Sequence, residues 1–282
     1  MTRREYRTVD VFTDRPFGGN PLAVFTDGAD IDAATMQSIA KELHLSETTF
    51  VLRPSSGAAD HRVRIFTPDA ELPFAGHPTI GTAFVLSDGR DGEMRLELGV
   101  GIIRVRSRAG FVQMDQPLPS FSGTTLSRKA AAEALGLAVE EVRNDIPIQV
   151  GSSGVPYLYV PLANLKAVKR ARRPAAFDQN VYVFAVSGER SGSQVHGRMF
   201  DMGLGIGEDP ATGSAQGPLG AYLVAHSQVA GGATVKIRSE QGFEIGRPSI
   251  LDIEVDTAAG DRVTAVRVGG RCVPMGGGWL DV

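Results

Sequence analysis

The sequence predicts a mixed α/β (α+β) fold built from two similar halves, and two observations support this prediction. Short alternating or β-branched runs, typical of strands, occur throughout the 282-residue chain, with only a few stretches of helical periodicity between them. Similar short motifs also recur in the same order along the two parts of the chain. The length fits either one large domain or two of about 140 residues, and the repetition favours two.

The first part of the chain is predicted to be mostly sheet. Seven runs read as strands: Tyr6–Phe12, Leu22–Phe25, Thr49–Leu52, Val63–Phe66, Arg95–Leu98, Ile102–Arg106 and Phe111–Asp115. Four apolar residues at helical spacing predict one amphipathic helix: Met36, Ile39, Ala40 and Leu43. Either Asp30 or Asp32 would cap this helix, and a second helix is expected after His77.

The second part repeats this mixture of elements. A helix is expected between Ser127, its cap, and Gly136. Six further runs read as strands: Tyr157–Val160, Val181–Val186, Arg198–Phe200, Val235–Ser239, Ile250–Val255 and Val263–Val268. Gln116–Thr125 contains two prolines and no periodicity, so it is the best linker candidate. We therefore predict a first half at 1–118, completed by 272–282, and a second half at 119–271.

Composition excludes several classes of protein. Hydrophobic residues make up 42% and charged residues 22%, which is typical of a soluble globular chain. The net charge of −3 without a long run of either sign makes nucleic acid an unexpected partner. The first residues lack the apolar core of a signal peptide and no stretch approaches about 18 apolar residues, so no membrane contact and a cytoplasmic location are expected. The single cysteine, Cys272, and five scattered histidines offer neither an intramolecular disulfide nor a zinc spacing, and Cys272 is expected to be a small buried residue.

Three pairs of short segments match between the two parts, at offsets of 132 to 135 residues. They are His77–Ala83 with Asp209–Ala215, Arg64–Phe66 with Arg198–Phe200, and Gly19–Pro21 with Gly154–Pro156. One such match would be weak in a chain with 34 glycines, but three in the same order indicate an internal duplication.

The longest of these matches suggests two helix starts. His77 and Asp209 would each occupy the cap position, followed by Pro78 and Pro210 at the first helical position. The small residues that follow would leave free backbone N–H groups accessible to an anion. If a pseudo-two-fold axis relates the halves, the two helix starts face each other and could hold a small carboxylate. The alternative is that both segments are core helices whose glycines only permit close packing.

Three side chains are candidates for acid/base chemistry. His77 and Asp209, at matching positions of the repeat, would come to opposite sides of one pocket, although each could instead be a simple helix cap. Glu47 lies between the first helix and an apolar strand, where partial desolvation would raise its pKa towards neutrality. A solvated or capping Glu47 is the alternative.

Seven motifs in order resemble those of the PhzF-like proteins of phenazine biosynthesis, and the resemblance runs almost from end to end. They are Asp10–Phe12, Gly19–Pro21, Ser46–Thr48, Gly76–Thr79 with Gly81, Glu208–Ala215, Glu240–Gly242 and Arg247–Ser249. The resemblance implies a diaminopimelate-epimerase-like fold. In this fold each of two pseudo-symmetric halves wraps a curved sheet around a central helix, and the active site lies between the halves.

The resemblance also implies an activity. The phenazine enzyme isomerises trans-2,3-dihydro-3-hydroxyanthranilate without a cofactor, using a glutamate that takes a proton from C3 and helps to return one at C1. Glu47 matches this glutamate, and His77 and Asp209 match residues that orient the substrate. The resemblance further implies a homodimer.

The same matching assigns the substrate carboxylate to Ser214 and the amides of Gly76 and Gly213, with Asn20 as a weaker substrate-binding match. Related racemases use one thiol from each half, and neither motif here contains a cysteine, which leaves a one-base proton shuttle. No metal or nucleotide motif is found, since Gly99–Gly101 reads as a hairpin turn.

Two other functions stay open: a non-catalytic small-molecule binding protein of the same fold, and an epimerase or racemase that uses no thiol. Retention of Glu47, His77 and Asp209 favours the isomerase, because binding alone requires no proton acceptor beside the carboxylate site.

Overall fold

The structure, a computed structural model, describes residues 1–175, 177, 179–203, 205–230, 232–259 and 262–282. The strands of this part of the chain are β1 Arg3–Val11, β2 Asn20–Phe25, β3 Glu47–Leu52, β4 His61–Phe66, β5 Glu71–Leu72, β6 Gly92–Leu98, β7 Gly101–Arg108, β8 Phe111–Gln116, β9 Ser120–Gly123, β10 Gln149–Ser152, β11 Pro156–Pro161, β12 Asn180–Ala185, β13 Val195–Phe200, β14 Glu208–Asp209, β15 Thr234–Gln241, β16 Ser249–Ala258 and β17 Arg262–Asp281. The α-helices are α1 Ala33–Leu43, α2 Gly76–Ser87, α3 Arg128–Leu135, α4 Leu165–Arg170 and α5 Gly213–Ala225, and Val139–Glu141 forms a 3₁₀ turn.

Eight strands of the first half close into a ring in the order β1, β2, β3, β4, β6, β7, β8 and β17. The C-terminal part of β17 pairs with β1, from Cys272 opposite Val11 to Asp281 opposite Arg3, and this pairing completes the ring. Helix α2 lies inside, with apolar residues on all sides and most of its surface buried.

The second half forms a comparable row in the order β9, β10, β11, β12, β13, β15, β16 and β17. Helix α5 lies against this sheet and is buried from Gly213 to Val224. Its Leu219, Tyr222 and Leu223 belong to the apolar core of this half. Strand β17 passes through both sheets and joins them.

Strand registers show that the halves repeat one pattern. Leu22 pairs with Glu47 where the parallel strands β2 and β3 begin, and Tyr157 pairs with Asn180 where β11 and β12 begin. In each half the second of these strands then pairs with an antiparallel strand that ends in phenylalanine, β4 or β13. The predicted pseudo-symmetric fold class is confirmed, whereas the exact boundaries at 118 and 271 stay a prediction.

The predicted alignment of the two helix starts is wrong by five residues. Helices α2 and α5 begin at Gly76 and Gly213, 137 residues apart, whereas the sequence match placed them 132 apart. Four residues separate β4 from β5 and seven separate β13 from β14, so this loop is three residues longer in the second half and raises the offset from 134 at Phe66 and Phe200 to 137 at the helix starts. The sequence match instead lowered the offset to 132. The Pro and Gly residues that the segments His77–Ala83 and Asp209–Ala215 share therefore do not occupy equivalent positions in the two halves.

The corrected register changes which residues are equivalent. His77 and Ser214 are both second in their helices, so they are equivalent to each other. Asp209 pairs with Met199 as Leu72 pairs with Ile65, so Asp209 corresponds to Leu72. The prediction that His77 and Asp209 occupy equivalent positions is wrong.

Neither predicted cap is a cap. Ala75 precedes α2 and His77 lies within its first turn, while Thr212 precedes α5 and Asp209 belongs to β14. Three carbonyls before α5 accept hydrogen bonds from distant side chains instead of from the helix: those of Asp209, Pro210 and Ala211, from Gln241, Ser249 and Asn20 respectively. These tertiary bonds keep Pro210 outside the helix.

Other local predictions hold. Asp32, rather than Asp30, caps α1 by accepting from the amide of Thr35 at 2.8 Å, and Ser127 caps α3. Cys272 is buried, and burial raises the pKa of its thiol. The linker prediction for Gln116–Thr125 is wrong in part, because β9 lies within it.

In the part of the chain described above, no helix combines the length and the apolar character needed to cross a membrane. The predicted cytoplasmic location stays a prediction.

Candidate active site

A small cavity lies between the two halves and is lined by side chains from both. Its volume is about 20 Å³, well below the roughly 300 Å³ at which small-molecule pockets begin. The side chains of the two halves therefore leave little free space at the site. The lining residues are Glu47, Leu72, Phe74, Ala75, Gly76, His77, Val155, Tyr157, Met199, Ile206, Asp209, Thr212, Gly213 and Ser214.

The starts of α2 and α5 meet at this cavity. A Cβ atom on Gly76 would lie 2.3 Å from the Ser214 amide nitrogen and 2.4 Å from the Gly213 Cα, so glycine is required there. The first N–H groups of each helix lack intrahelical acceptors, and each helix dipole is positive at this end. The converging ends therefore favour an anion in the cavity.

Glu47 begins β3 and points into the cavity, with 6% of its surface exposed. Burial raises the pKa of its carboxyl well above the usual value, and the nearby Asp209 and Asp201 carboxyls raise it further. Its Oε2 atom has no hydrogen-bond partner among the described residues.

His77 is buried, and burial lowers its pKa to about 3, so the imidazole is neutral. Its Nδ1 lies 3.0 Å from Asn20 Nδ2, which can only donate, so Nδ1 accepts and the proton is assigned to Nε2. Nε2 lies 3.2 Å from Glu47 Oε2. The two atoms are not aligned for a hydrogen bond, and both retain an unused bonding position beside the cavity.

Asp209 is held by hydrogen bonds on both carboxyl oxygens. Asn20 Nδ2 donates to Oδ1 at 2.7 Å, and Thr212 Oγ1 donates to Oδ2 at 2.6 Å. Burial raises the pKa of Asp209 to about 6, while the bonds from Thr212, Asn20 and Ser46 limit the rise. Asp209 is thus positioned more firmly than Glu47.

Asn20 connects the two halves of the site. Its Nδ2 lies within 3.1 Å of three acceptors, His77 Nδ1, Asp209 Oδ1 and the Ala211 carbonyl, for two available hydrogens. Asn20 therefore fixes the orientation of the imidazole and the carboxylate together, and no direct substrate contact follows from these bonds.

Ser214 contacts a residue that the sequence did not single out. Its Oγ lies 2.7 Å from the Tyr157 hydroxyl, and both groups are buried beside the cavity. Tyr157 directly follows Gly154–Pro156, the segment that matches Gly19–Pro21 in the first half. Because Gly19–Pro21 contains the site residue Asn20, this position in the repeat could have indicated that Tyr157 lies near the site.

Thr212 and Gln241 were also missed as site residues. Gln241 donates from Nε2 to the Asp209 carbonyl at 2.7 Å and to Thr212 Oγ1 at 2.9 Å, and its Oε1 accepts from the Thr212 amide. Both residues stand inside motifs that carry the family resemblance, but their contacts depend on strand β15 lying beside β13.

Glu47 has no acidic counterpart in the second half. The equivalent position holds Asn180, whose Oδ1 accepts from the Met202 amide at 2.9 Å. No lysine or arginine lines the cavity among the residues described, and no group of three or more His, Cys, Asp or Glu side chains in that part of the chain is arranged to hold a metal.

Comparison with known proteins identifies the family. The model of the family described as "Phenazine biosynthesis-like protein" matches residues 9–278. The chain belongs to this PhzF family. It is 39% identical to the trans-2,3-dihydro-3-hydroxyanthranilate isomerase of Pseudomonas fluorescens, over 98% of both chains.

Solved structures agree with this assignment. A PhzF-family protein of Bacillus anthracis superposes with a TM-score of 0.90, at 27% identity and complete coverage of both chains. A predicted epimerase of Pseudomonas aeruginosa superposes with a TM-score of 0.82, at 37% identity over 99% of both chains. The family, the fold and the enzyme class, an isomerase, are confirmed; the role of each site residue stays a prediction.

Proposed function

We propose that this PhzF-family protein isomerises trans-2,3-dihydro-3-hydroxyanthranilate, or a close cyclic amino acid, without a cofactor and with Glu47 as the single proton carrier. The observation that carries the proposal is the buried Glu47 carboxyl, with raised pKa and a free Oε2, 3.2 Å from the neutral imidazole of His77. The relatives named for this reaction cover almost the whole chain.

The helix starts supply the carboxylate site in this proposal. The substrate carboxylate accepts from the amides of Gly76 and Gly213 and from the Ser214 hydroxyl, which Tyr157 holds at 2.7 Å. Since no cation lines the described cavity, these donors are the main compensation for the substrate charge.

Glu47 then moves the proton. As a carboxylate it takes the proton from C3, the C–H electron pair enters the conjugated system of the ring, and the carboxyl returns a proton at C1. The overall number of protons is unchanged. A raised pKa suits both steps, because the group must accept and release a proton near neutral pH.

His77 and Asp209 orient the substrate. With its proton on Nε2, the neutral His77 donates a hydrogen bond into the cavity beside Glu47. Asp209, whose oxygens are held by Asn20 and Thr212, accepts from the substrate amino or hydroxyl group.

The asymmetry of the halves argues against an epimerase with one base per face. Asn180 stands where a second Glu47 would be, and an amide does not take a proton from carbon. A binding protein without turnover has no need for the unpartnered Glu47 beside the helix starts. The homodimer implied by the family stays a proposal, which light scattering against the 29.9 kDa chain mass will test.

The direct test is turnover of the dihydrohydroxyanthranilate by purified protein in H₂O and D₂O, followed by NMR. We expect isomerisation with a proton or deuteron at C1, and a loss of about 10²–10⁴-fold for Glu47→Gln. Binding of a substrate analogue should change little in this variant, because one hydrogen bond contributes about 1 kcal/mol. Normal turnover by Glu47→Gln would exclude Glu47 as the base, and absence of turnover in the native protein would exclude this substrate.

A further inference from the structure

A second cavity lies outside the candidate active site and shares no lining residue with it. It has a volume of about 510 Å³, within the range of small-molecule pockets. Both halves contribute to it: the segment after β1 and strand β8 from the first, and the 190–193 loop, β15 and β16 from the second, together with Arg271 of β17, the strand that the two sheets share. We call this cavity the arginine pocket, defined by Phe12, Thr13, Asp14, Arg15, Phe111, Arg190, Ser191, Ser193, Arg238, Pro248, Ile250, Asp252 and Arg271.

Positive charge is concentrated in the arginine pocket of a chain whose net charge is −3. Four arginines line it against two carboxylates, those of Asp14 and Asp252. Asp252 is already paired with Arg238, at 2.8 Å between Oδ1 and Nε. Arg15, Arg190 and Arg271 form no ion pair with any described residue, so their combined charge is only partly offset within the pocket.

The three arginines without an ion pair are positioned by other contacts. Thr13 Oγ1 accepts from the Arg15 amide and donates to its carbonyl, which fixes the turn. The amide of Arg190 donates to the buried Glu240 at 2.7 Å, and its guanidinium stacks 5.0 Å from the Phe243 ring centre. Arg271 lies in β17 and reaches the Ala109 carbonyl at 3.2 Å.

One side of the pocket is apolar. Phe111 is partly buried and its ring packs on Gly269, where a Cβ atom would lie 2.7 Å away. Ile250 and Pro248 are adjacent on the opposite half, and the Ile250 amide donates to the Phe12 carbonyl at 2.9 Å. A ring or short hydrocarbon would be covered here while its charged groups reach the guanidinium groups.

We propose that the arginine pocket binds a small organic dianion with an apolar body. Guanidinium groups pair with carboxylates and phosphates through two parallel hydrogen bonds, which suits either acidic group. Arg15, Arg190 and Arg271, which have no ion pair among the described residues, hold the two negative charges. The wall of Phe111, Pro248 and Ile250 contacts the body. This site is independent of Glu47 and of the proposed isomerisation.

The test is calorimetric titration of the full-length protein at low ionic strength with phthalate, a dicarboxylate, and with phenyl phosphate. We expect saturable binding of at least one probe, with one site per chain, weakened at least tenfold by the double variant Arg15→Gln/Arg271→Gln. The control Arg7→Gln/Arg104→Gln removes the same charge at exposed, remote positions and should change affinity less than twofold. Binding of phthalate alone identifies a dicarboxylate site, and binding of phenyl phosphate alone a phosphate site.

Three results would overturn the proposal. The first is no saturable binding of either probe, and the second is an equal loss of affinity in the two double variants. The third is a loss of affinity in Ser214→Ala but not in Arg15→Gln/Arg271→Gln, because that result would place the anion at the helix starts. Thermal unfolding of each variant confirms that it is folded. If the double variant is unstable, Arg15→Gln alone, at an exposed side chain without an ion pair among described residues, repeats the comparison.

Discussion

Glu47 and Asp209 are two buried carboxyls in one site, and their surroundings differ. Asp209 accepts hydrogen bonds on both oxygens, and these bonds partly offset the cost of burying its charge. Glu47 Oε2 has no such donor and faces the cavity, while burial and the Asp209 and Asp201 carboxyls raise the pKa of Glu47 well above its usual value. The proposed proton carrier and the proposed orienting acceptor therefore differ in hydrogen bonding as well as in the charges around them.

The pKa of Asp209 predicts how stability depends on pH. Its folded value of about 6 lies above the ordinary 3.8, so the folded state binds more protons between these values and this group destabilises the protein as pH rises through that interval. A rise of about two pKa units corresponds to about 3 kcal/mol. Urea unfolding from pH 4 to 7 should show Asp209→Asn gaining about that much relative to the native chain. A difference between the two proteins that is constant over this range would contradict the assignment.

Gln241 should act through Asp209 rather than on the substrate. Its side chain bonds the Asp209 carbonyl and both the amide and hydroxyl of Thr212. Gln241→Leu should lower kcat/KM by about tenfold or more, consistent with a loss of one to two buried hydrogen bonds. It should also move the acidic limb of the pH–rate profile, since Thr212 no longer holds the carboxylate.

The matched control for Gln241 is Gln194→Leu. Gln194 lies on an exposed loop and accepts from the Arg238 amide away from the site. Equal losses of kcat/KM in the two variants, or an unshifted pH–rate profile in Gln241→Leu, would show that Gln241 has only a structural role.

At the scale of elements, the site depends on the contact between the starts of α2 and α5. Gly76 permits it, since any Cβ there would overlap the backbone of Gly213 and Ser214. We expect Gly76→Ala to separate the helices, to cost about 1–3 kcal/mol of unfolding free energy and to reduce turnover strongly. Gly92→Ala, at a position with nothing within 4 Å of the added atom, is the control. Calorimetric melting measures the stability of both variants, and steady-state kinetics measures their turnover. Stability and turnover of Gly76→Ala equal to those of the native protein would show that the contact is dispensable.

The sequence predicted most of the longer elements, but it missed β9, β10, α4 and the two-residue strands β5 and β14, and it did not give the alignment between the halves. Strand and helix positions follow from local periodicity, and the caps of α1 and α3 follow from Asp32 and Ser127. The loop before β14 is three residues longer than its counterpart, and a short match of Pro and Gly cannot reveal such an insertion. His77 was therefore paired with Asp209 instead of with Ser214.

The sequence also could not reveal two glutamate side chains that hold loops by accepting hydrogen bonds from loop amides. Glu97 accepts from the Ser55 amide at 2.7 Å, and Glu240 accepts from the amides of Glu189 and Arg190 at 2.6 and 2.7 Å. Each glutamate lies on a strand parallel to the one that follows its loop. Such repeated contacts are visible only once strand pairing is known.

At the scale of the whole molecule, β17 determines whether the first half is closed. Residues 266–271 pair with β8 and residues 272–281 pair with β1, so one strand joins both ends of the ring around α2. The backbone groups of residues 2 and 282 also bond to each other, which brings the two ends of the chain together. The predicted division, with 272–282 completing the first half, therefore has a direct physical test.

A variant lacking residues 272–282 should fail to fold cooperatively. Removing the segment leaves one edge of β1 unpaired from Arg3 to Val11 and exposes Val9 and Val11, which are 1% and 0% exposed in the intact protein. An unpaired, apolar edge strand promotes association between chains, so the truncated protein should aggregate or show no sharp thermal transition. A chain that lacks only residue 282 keeps every β1–β17 pair and should melt like the full-length protein. Circular dichroism melting with light scattering measures both properties, and a soluble, cooperatively melting 1–271 chain would show that the first half does not need the C-terminal strand.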